Sequence, residues 1–252
     1  MNFRIDISVI TPAYNTEKYI NRIYNSLKQQ KYKYFEWIII DDCSNDRTLA
    51  LIQEFIHEAI LNIKLLKNNV NLGIAESRNK GLNIAKGEYI CFLDADDFWL
   101  KDKLSVQLDY MKKNNILISY MDYKHVDSNG IPIKVITPPT QCTREMILKS
   151  NCIGTLTCMI KKELIQDNRF IQHGHEDYIL WLELLSKTPK AYKVNTTLPL
   201  CNYTISKNSV SGKKFKAATW QWSIYRNILN FSLIKSIYYF TFYVINGILK
   251  HK

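Results

Sequence analysis

No C-x-x-C pair, no acidic residue beyond Glu183 and no apolar run long enough to cross a bilayer occur in this 252-residue chain. Each absence excludes something. The six cysteines, Cys43, Cys91, Cys142, Cys152, Cys158 and Cys201, are scattered, so neither a zinc ribbon nor a disulfide framework is suggested, and buried thiols in a reducing compartment are expected. The segment Met1-Asn2-Phe3-Arg4-Ile5-Asp6 runs into a strand pattern without the apolar stretch and small-residue cleavage site of a secretory signal, so a cytoplasmic location is expected. Disorder is excluded by a composition that is 46% hydrophobic and 12% aromatic.

The missing acids at the C-terminal end localise the charge. Of 34 Lys and Arg residues, eleven follow Glu183, so residues 1–183 balance 23 acids against an equal number of bases and the net charge of +11 belongs to the remainder. A polyanionic partner is implied, either nucleic acid or an anionic membrane. From Asn227 to Leu249 only Lys235 is charged, so the basic groups flank an apolar helix and do not line a groove. That arrangement suits anchoring in the interface of an anionic membrane and argues against nucleic acid. Ser236 to Leu249 is shorter than the ~20 residues a span needs. A helix packed on the protein core is the competing reading, because Ile224, Ile228, Phe231, Tyr238, Phe242, Ile245 and Leu249 have the spacing for it.

What the chain does contain is an alternation of strands and helices. Apolar strands are read at Ile5 to Ile10, Phe35 to Ile40, Ile63 to Leu66 and Tyr89 to Leu93, with helices from Thr16, Arg47 to His57 and Ala75 to Ala85 between them. Thr16 is the candidate N-cap of the first helix. Such alternation gives an α/β fold with a doubly wound, mostly parallel sheet, and ligands bind beyond the carboxyl ends of its strands. The polar clusters Thr11-Pro12-Ala13-Tyr14-Asn15, Asp41-Asp42-Cys43-Ser44-Asn45-Asp46 and Asp94-Ala95-Asp96-Asp97 all follow strands, and so converge on one site.

Three carboxylates within Asp94 to Asp97 repel one another unless a cation or several donors sit among them. Mg²⁺ and Mn²⁺ take one or two carboxylates and complete their shells with water and substrate phosphate, so the motif points to a phosphorylated substrate; a solvated turn is the alternative. Beyond Asp97 the alternation weakens into a helix at Lys103 to Lys112, a strand at Ile116 to Tyr123, a hairpin-like turn at Asp127-Ser128-Asn129-Gly130 and a loop at Pro138-Pro139. His173-Gly174-His175-Glu176-Asp177 then opens another helix. Its carboxylates are either macrodipole caps or, in the case of Asp177, the base that the site otherwise lacks.

Taken in order, Ser8 to Asn15, Ile40 to Asp46, Asn71 to Asn79, Leu93 to Asp97 and Glu176-Asp177 resemble the successive signatures of the family 2 glycosyltransferases, inverting enzymes of the GT-A fold. The resemblance covers about residues 5–205. It implies a UDP-sugar donor, with Thr11, Pro12 and Tyr14 lining the nucleoside pocket, Asp42 accepting from the uracil and Arg78 helping to hold the nucleotide. Asp94 would approach the ribose or the metal, Asp96 would ligate Mn²⁺ or Mg²⁺, and Asp177 would be the base. No Gln-x-x-Arg-Trp element follows, so processive synthases are a poor match.

The implied organisation is a GT-A domain over 1–215, with a nucleotide-sugar half at 1–97 and an acceptor half at 98–215, followed by a membrane-associating helical region at 216–252. Tyr203 to Lys214 is polar and basic, as a lid over the diphosphate would be. Similar bacterial enzymes extend lipid-diphosphate-linked sugars for O-antigen or capsule, which makes β-1,3-glucosyl or galactosyl transfer to GlcNAc-diphosphate-lipid at the cytoplasmic face of the inner membrane the specific expectation. The alternatives are another nucleotide sugar or a soluble glycan or protein acceptor. An aspartyl-nucleophile phosphatase is disfavoured because its motif lies near the N-terminus and Phe98 here follows Asp97; a non-enzymatic basic module is disfavoured by the neutral first 183 residues.

Overall fold

The computed structural model describes residues 4–205 and 214–249. Its first part alternates as expected: β1 (Ile7–Ala13), α1 (Ile20–Lys28), β2 (Phe35–Asp41), α2 (Thr48–Glu58), β3 (Ile63–Lys67), α3 (Ile74–Ile84) and β4 (Tyr89–Phe92). There follow β5 (Phe98–Trp99), α4 (Lys103–Asn114), β6 (Ile118–Met121), β7 (Tyr123–Val126), β8 (Pro132–Ile136), β9 (Gln141–Cys142) and α5 (Arg144–Lys149). A 3-10 turn at Thr155–Thr157 leads to β10 (Met159–Lys161), α6 (Lys162–Ile165), α7 (Glu176–Lys187), β11 (Ala191–Val194) and β12 (Cys201–Thr204). The described chain closes with α8 (Lys214–Ser223), a π-helical turn at Ile224–Ile228 and α9 (Leu233–Leu249).

The main sheet has the order β3-β2-β1-β4-β10-β6-β11-β9. Its first four strands are parallel, β10 runs against both neighbours, β11 is parallel to β6, and β9 is antiparallel to β11. Ile20, Ile23, Leu27, Ile52 and Phe55 bring α1 and α2 onto one face, whereas Ala75 and Leu82 bring α3 onto the other. Helices on both faces explain why β1, β2 and β4 are buried at every residue. The chain leaves β1 toward β2 and later returns to β4 on its other side, so the order reverses at β1 and opens a crevice beyond the carboxyl ends of β1 and β4.

Several local expectations need correction. Thr11-Pro12-Ala13 is strand and not loop. Ile10 faces β4, accepting from the Leu93 N–H, and Ala13 faces β2, accepting from the Asp42 N–H. Pro12 therefore turns its missing donor toward β4, where pairing has already stopped at Ile10. Thr16 does not cap α1, which begins at Ile20 after a turn in which the Thr16 carbonyl accepts from Tyr19 and Ile20. The single strand read at 116–123 is two, β6 and β7, which lie in different sheets and divide at Asp122, whose carboxylate takes a 3.1 Å bond from Lys193 Nζ. The turn at 127–130 does join a hairpin: Asp127 Oδ1 accepts from the Asn129 and Ile131 N–H groups, and Gly130 supplies φ +84°.

Nor are all six cysteines buried thiols. Cys142 and Cys152 are joined as a disulfide, because β9 pairs with β11 at the sheet edge and brings Cys142 back beside the loop after α5. Cys43 is half-buried, while Cys91, Cys158 and Cys201 are buried and free.

A second sheet, β5-β12-β7-β8, stands beside the carboxyl end of β4. The C-terminal helices share the main core: Ile224, Tyr225 and Tyr239 pack with Leu148, Tyr178 and Trp181. Tyr225 Oη donates to the Leu148 carbonyl (2.6 Å) and Tyr239 Oη to Glu145 (2.7 Å). The outer face of α9 is apolar and exposed, with Ile234, Ile237, Tyr238, Ile245 and Ile248 in helical register. Among the described residues no helix is long and apolar enough to cross a membrane.

Candidate active site

Three chain segments after β1, β2 and β4 build the donor side. Asn15, held at φ +51°, accepts from the Asn45 N–H through Oδ1 and donates its own N–H to Ser44 Oγ, which locks the first segment to the second. Tyr14 beside it is 46% exposed, open to a flat ligand. Thr11 is fully buried and its hydroxyl accepts from Trp37 Nε1 at 2.8 Å, so it supports the end of β1 from within the core and presents no surface of its own.

Asp42 is buried and accepts from the Leu72 N–H (2.8 Å), the Gly73 N–H (2.8 Å) and Asn68 Nδ2 (2.7 Å). Two of these donors belong to the loop that opens α3, where Gly73 adopts φ +86°. A carboxylate has about four acceptor positions, so Asp42 holds this loop and keeps one position for a ligand N–H.

The loop after β4 carries the acidic cluster. Asp94 Oδ1 accepts from Arg78 Nη2 at 2.7 Å. Burial first, and the charge of Asp94 second, push the Asp96 carboxyl up to about 6. Asp97 is fully buried; burial and its two acidic neighbours push it well above the usual carboxylate range, although Oδ1 accepts from the Thr204 N–H at 2.8 Å. The Asp96 carbonyl accepts from Arg22 Nη2 and Thr204 Oγ1, both at 2.5 Å. Backbone and Asp97 are thus pinned to α1 and β12, while Asp94 and Asp96 present side chains to the crevice. Sequence reasoning missed Arg22 and Thr204, which lie in no motif and act only through the fold.

The base candidate approaches from α7. Arg78, which is 2% exposed, donates to Asp94 with one nitrogen and to Glu176 Oε1 with the other (2.8 Å). Burial pulls the Arg78 pKa down, but the Asp94 and Glu176 carboxylates more than offset it and hold the guanidinium charged. Burial raises Glu176, with Arg78 working against it. Asp177 is held separately: Oδ2 accepts from Thr155 Oγ1 at 2.7 Å and Oδ1 from the Tyr178 N–H at 2.7 Å. Glu176 is therefore tied to the Arg78 cation, whereas Asp177 has no ion pair with Arg78 and is oriented by a neutral hydroxyl and a backbone N–H. Thr155, the third residue missed by sequence reasoning, sits in a 3-10 turn without a signature.

The His173-Gly174-His175 loop is covered by α8. A Cβ at Gly174 would fall inside the Trp220 ring, and His175 Nε2 lies 3.3 Å from the Ala217 carbonyl. Burial lowers the His175 pKa, so the ring is neutral beside the base. Of the expected lid at 203–214, residues 206–213 lie outside the described residues.

Asp94, Asp96, Arg78, Glu176 and Asp177 thus meet at one edge of the sheet, with Asp42 and Tyr14 across the crevice. The description "Glycosyl transferase family 2" matches residues 8–167. The chain is a family 2 glycosyltransferase. A UDP-Glc:α-D-GlcNAc-diphosphoundecaprenol β-1,3-glucosyltransferase of Escherichia coli is 36% identical over 245 residues, 97% of this chain and 94% of that protein. Among solved structures, Staphylococcus aureus TarS 1-349 in complex with UDP-GlcNAc superposes with a TM-score of 0.74 at 23% identity, covering 95% of this chain and 72% of that one. A mannosyltransferase from Pyrobaculum calidifontis in complex with GDP-Man and Mn²⁺ gives a TM-score of 0.68 at 17% identity, covering 92% and 66%. These likenesses establish the GT-A fold, and enzymes of this fold generally use a divalent metal.

Among the described residues no group of three or more His, Cys, Asp or Glu could enclose a metal on its own. Asp94 and Asp96 nevertheless fit one. A half-buried carboxylate raised to about 6 beside a second acid is relieved by a cation, and Mg²⁺ or Mn²⁺ needs only one or two carboxylates when phosphate completes the shell.

Proposed function

We propose that this glycosyltransferase moves a hexose from a UDP-sugar to a lipid-diphosphate-linked sugar with inversion, and that the reaction is β-1,3-glucosyl or galactosyl transfer to GlcNAc-diphosphate-lipid in surface polysaccharide synthesis. The observation that carries the reading is the division of labour between two adjacent carboxylates. Glu176 is bound to the Arg78 cation, and Asp177 is oriented by Thr155 and left available. An acceptor hydroxyl is a weak nucleophile, and a positioned carboxylate that removes its proton during attack contributes about 10²–10⁴-fold. Attack on an α-linked donor from the face opposite UDP gives a β-glycoside.

Tyr14 would line the nucleoside, supported from beneath by Thr11 and Pro12 at the end of β1; Asp42 would accept from the uracil imide, and Arg78 would fix the nucleotide side through Asp94. Asp94 and Asp96 would hold the divalent cation, which when bound stabilises charge on the leaving diphosphate. The similarity to the Escherichia coli enzyme over nearly its whole length supports both the donor and the acceptor.

The exposed stripe of α9 supports peripheral attachment to an anionic membrane at its cytoplasmic face. Ile234, Ile237, Tyr238, Ile245 and Ile248 would lie among acyl chains while exposed basic residues of the C-terminal region, Lys235 among them, meet the headgroups. Screening UDP-sugars against a synthetic GlcNAc-diphosphate-alkyl acceptor, with mass detection of product, tests the assignment. Transfer of a hexose from UDP-glucose or UDP-galactose supports it, and exclusive use of a different nucleotide or of an acceptor without diphosphate overturns it.

A further inference from the structure

The four-stranded sheet turns one face toward the base. Register sets Trp99 and Tyr123 on either side of Cys201, with Tyr203 and His125 paired next along the same face. Lys134 pairs with His125 on β8, at the outer edge. The inner end of this face is closed: Trp99 Nε1 donates to the Leu156 carbonyl at 2.8 Å, and Cys201 Sγ approaches the same oxygen at 3.8 Å. Tyr123 lies against Gly154, where an added Cβ would sit 3.6 Å from its Cε1. Gly154 and Leu156 flank Thr155, the residue that holds Asp177.

The outer end is open. Tyr123, His125 and Tyr203 are only half-buried, with ring centroids 5.5 Å and 5.4 Å apart in sequence along the face. Burial and then the charges of Asp97 and Asp177 push the Tyr123 phenol up to about 12, so its ring lies within the field of both the acidic loop and the base. Burial and then Lys134 lower His125, which leaves that ring neutral at pH 7. Three neutral rings continuing from the base's own support, with a cation at the far rim, match the two faces of a sugar diphosphate. A pyranose presents a C–H surface that packs on aromatic rings, while its hydroxyls and phosphates need polar partners.

We propose that the open face of Tyr123, His125 and Tyr203 is the acceptor subsite, receiving the C–H face of the acceptor pyranose so that one hydroxyl meets Asp177 and the anomeric diphosphate extends toward Lys134. The inference rests on the functional reading above and names the residues that determine acceptor choice.

Steady-state kinetics with UDP-glucose and synthetic GlcNAc-diphosphate-alkyl test it in the full chain. His125→Leu and Tyr203→Leu should each raise the acceptor KM about tenfold, the size expected for losing one ring contact. Lys134→Gln should raise it for the diphosphate but not for an alkyl GlcNAc glycoside. The donor KM and the slow hydrolysis of UDP-glucose without acceptor should stay within about twofold. Unchanged acceptor KM, or equal changes in donor and acceptor KM, overturns the subsite. Should Tyr203→Leu fail to fold, His125→Gln and Lys134→Gln, at half-buried and exposed positions, carry the same test. A wild-type enzyme that ignores this acceptor but transfers to another refutes the functional reading alone, and the same variants measured with that other acceptor then decide the subsite.

Discussion

From β3 to β4 the main sheet is parallel and the loops at its carboxyl end are tied down by backbone and amide donors; in the smaller sheet, β5-β12-β7-β8, strand directions change and aromatic side chains are left half-buried. Asp42 takes two backbone N–H groups and an amide, and Asn15 is tied to Ser44 and Asn45. Across the crevice, Tyr123, His125 and Tyr203 contact one another ring to ring on the face of the smaller sheet. A cradle built from backbone donors is fixed before any ligand arrives, whereas a ring platform can be re-specified by changing side chains without disturbing a strand. The donor side should therefore be sensitive to loss of structure, and the acceptor side to loss of contacts.

The largest effect expected is at the join between the halves. Arg78→Met removes the cation shared by Asp94 and Glu176 and leaves two partly buried carboxylates unpaired, a loss of about 3–5 kcal/mol of stability. Urea unfolding measures it; a change under about 1 kcal/mol would mean that the bridge is not formed in solution. Next, Asp177→Asn should lower turnover about 10²–10⁴-fold while UDP affinity is retained, and Glu176→Gln should cost less turnover. The reverse order would assign the base to Glu176. A smaller loss, about tenfold, is expected for Thr155→Val, with Thr155→Ser close to wild type because the hydroxyl that orients Asp177 is restored.

How much of this comparison was legible in the sequence follows the same line. In the first half each motif lies at or just past the carboxyl end of its strand, β1 running into Thr11-Pro12-Ala13 and β2 into Asp41, so period and position sufficed to place Asp42, Asp94 and Asp96 at the carboxyl end of the sheet. They did not reveal that Arg78 would bridge Asp94 to Glu176, since 98 residues separate Arg78 from Glu176 and no local pattern encodes the contact. In the second half, Asp122 splits an apparently continuous strand between two sheets, and Thr155 is brought to Asp177 only by the packing of a 3-10 turn. The C-terminal helices read as an appendage because their charge is peculiar; Tyr225 and Tyr239 join them to the core, and Trp220 seals Gly174. Truncation at residue 216 would therefore damage the site itself, and substitutions on the outer stripe are the better probe of membrane attachment.

The acidic loop offers a pH test with a defined sign. Unfolded, Asp96 titrates near 3.8; folded, it is raised to about 6, so between these values the native state binds more protons and stability falls as pH rises. In EDTA, the melting temperature should decline from about pH 4 to about pH 6 relative to Asp96→Asn, and Mn²⁺ should recover it above about pH 6, where the carboxylate is charged. A Mn²⁺ effect equal at pH 5 and pH 7, or surviving in Asp96→Asn, would remove Asp96 from the metal site. The smallest effect belongs to the tail: Ile234→Asp with Ile245→Asp should weaken binding to anionic vesicles several-fold while leaving the melting temperature within about 2 °C, since both side chains are exposed.

The central claim is single displacement with Asp177 removing the acceptor proton, and the stereochemistry of the product tests it most directly. With UDP-glucose and GlcNAc-diphosphate-alkyl as substrates, the anomeric proton coupling of the purified disaccharide, read by NMR, should report a β-glucosyl linkage. An α-linked product would contradict the mechanism.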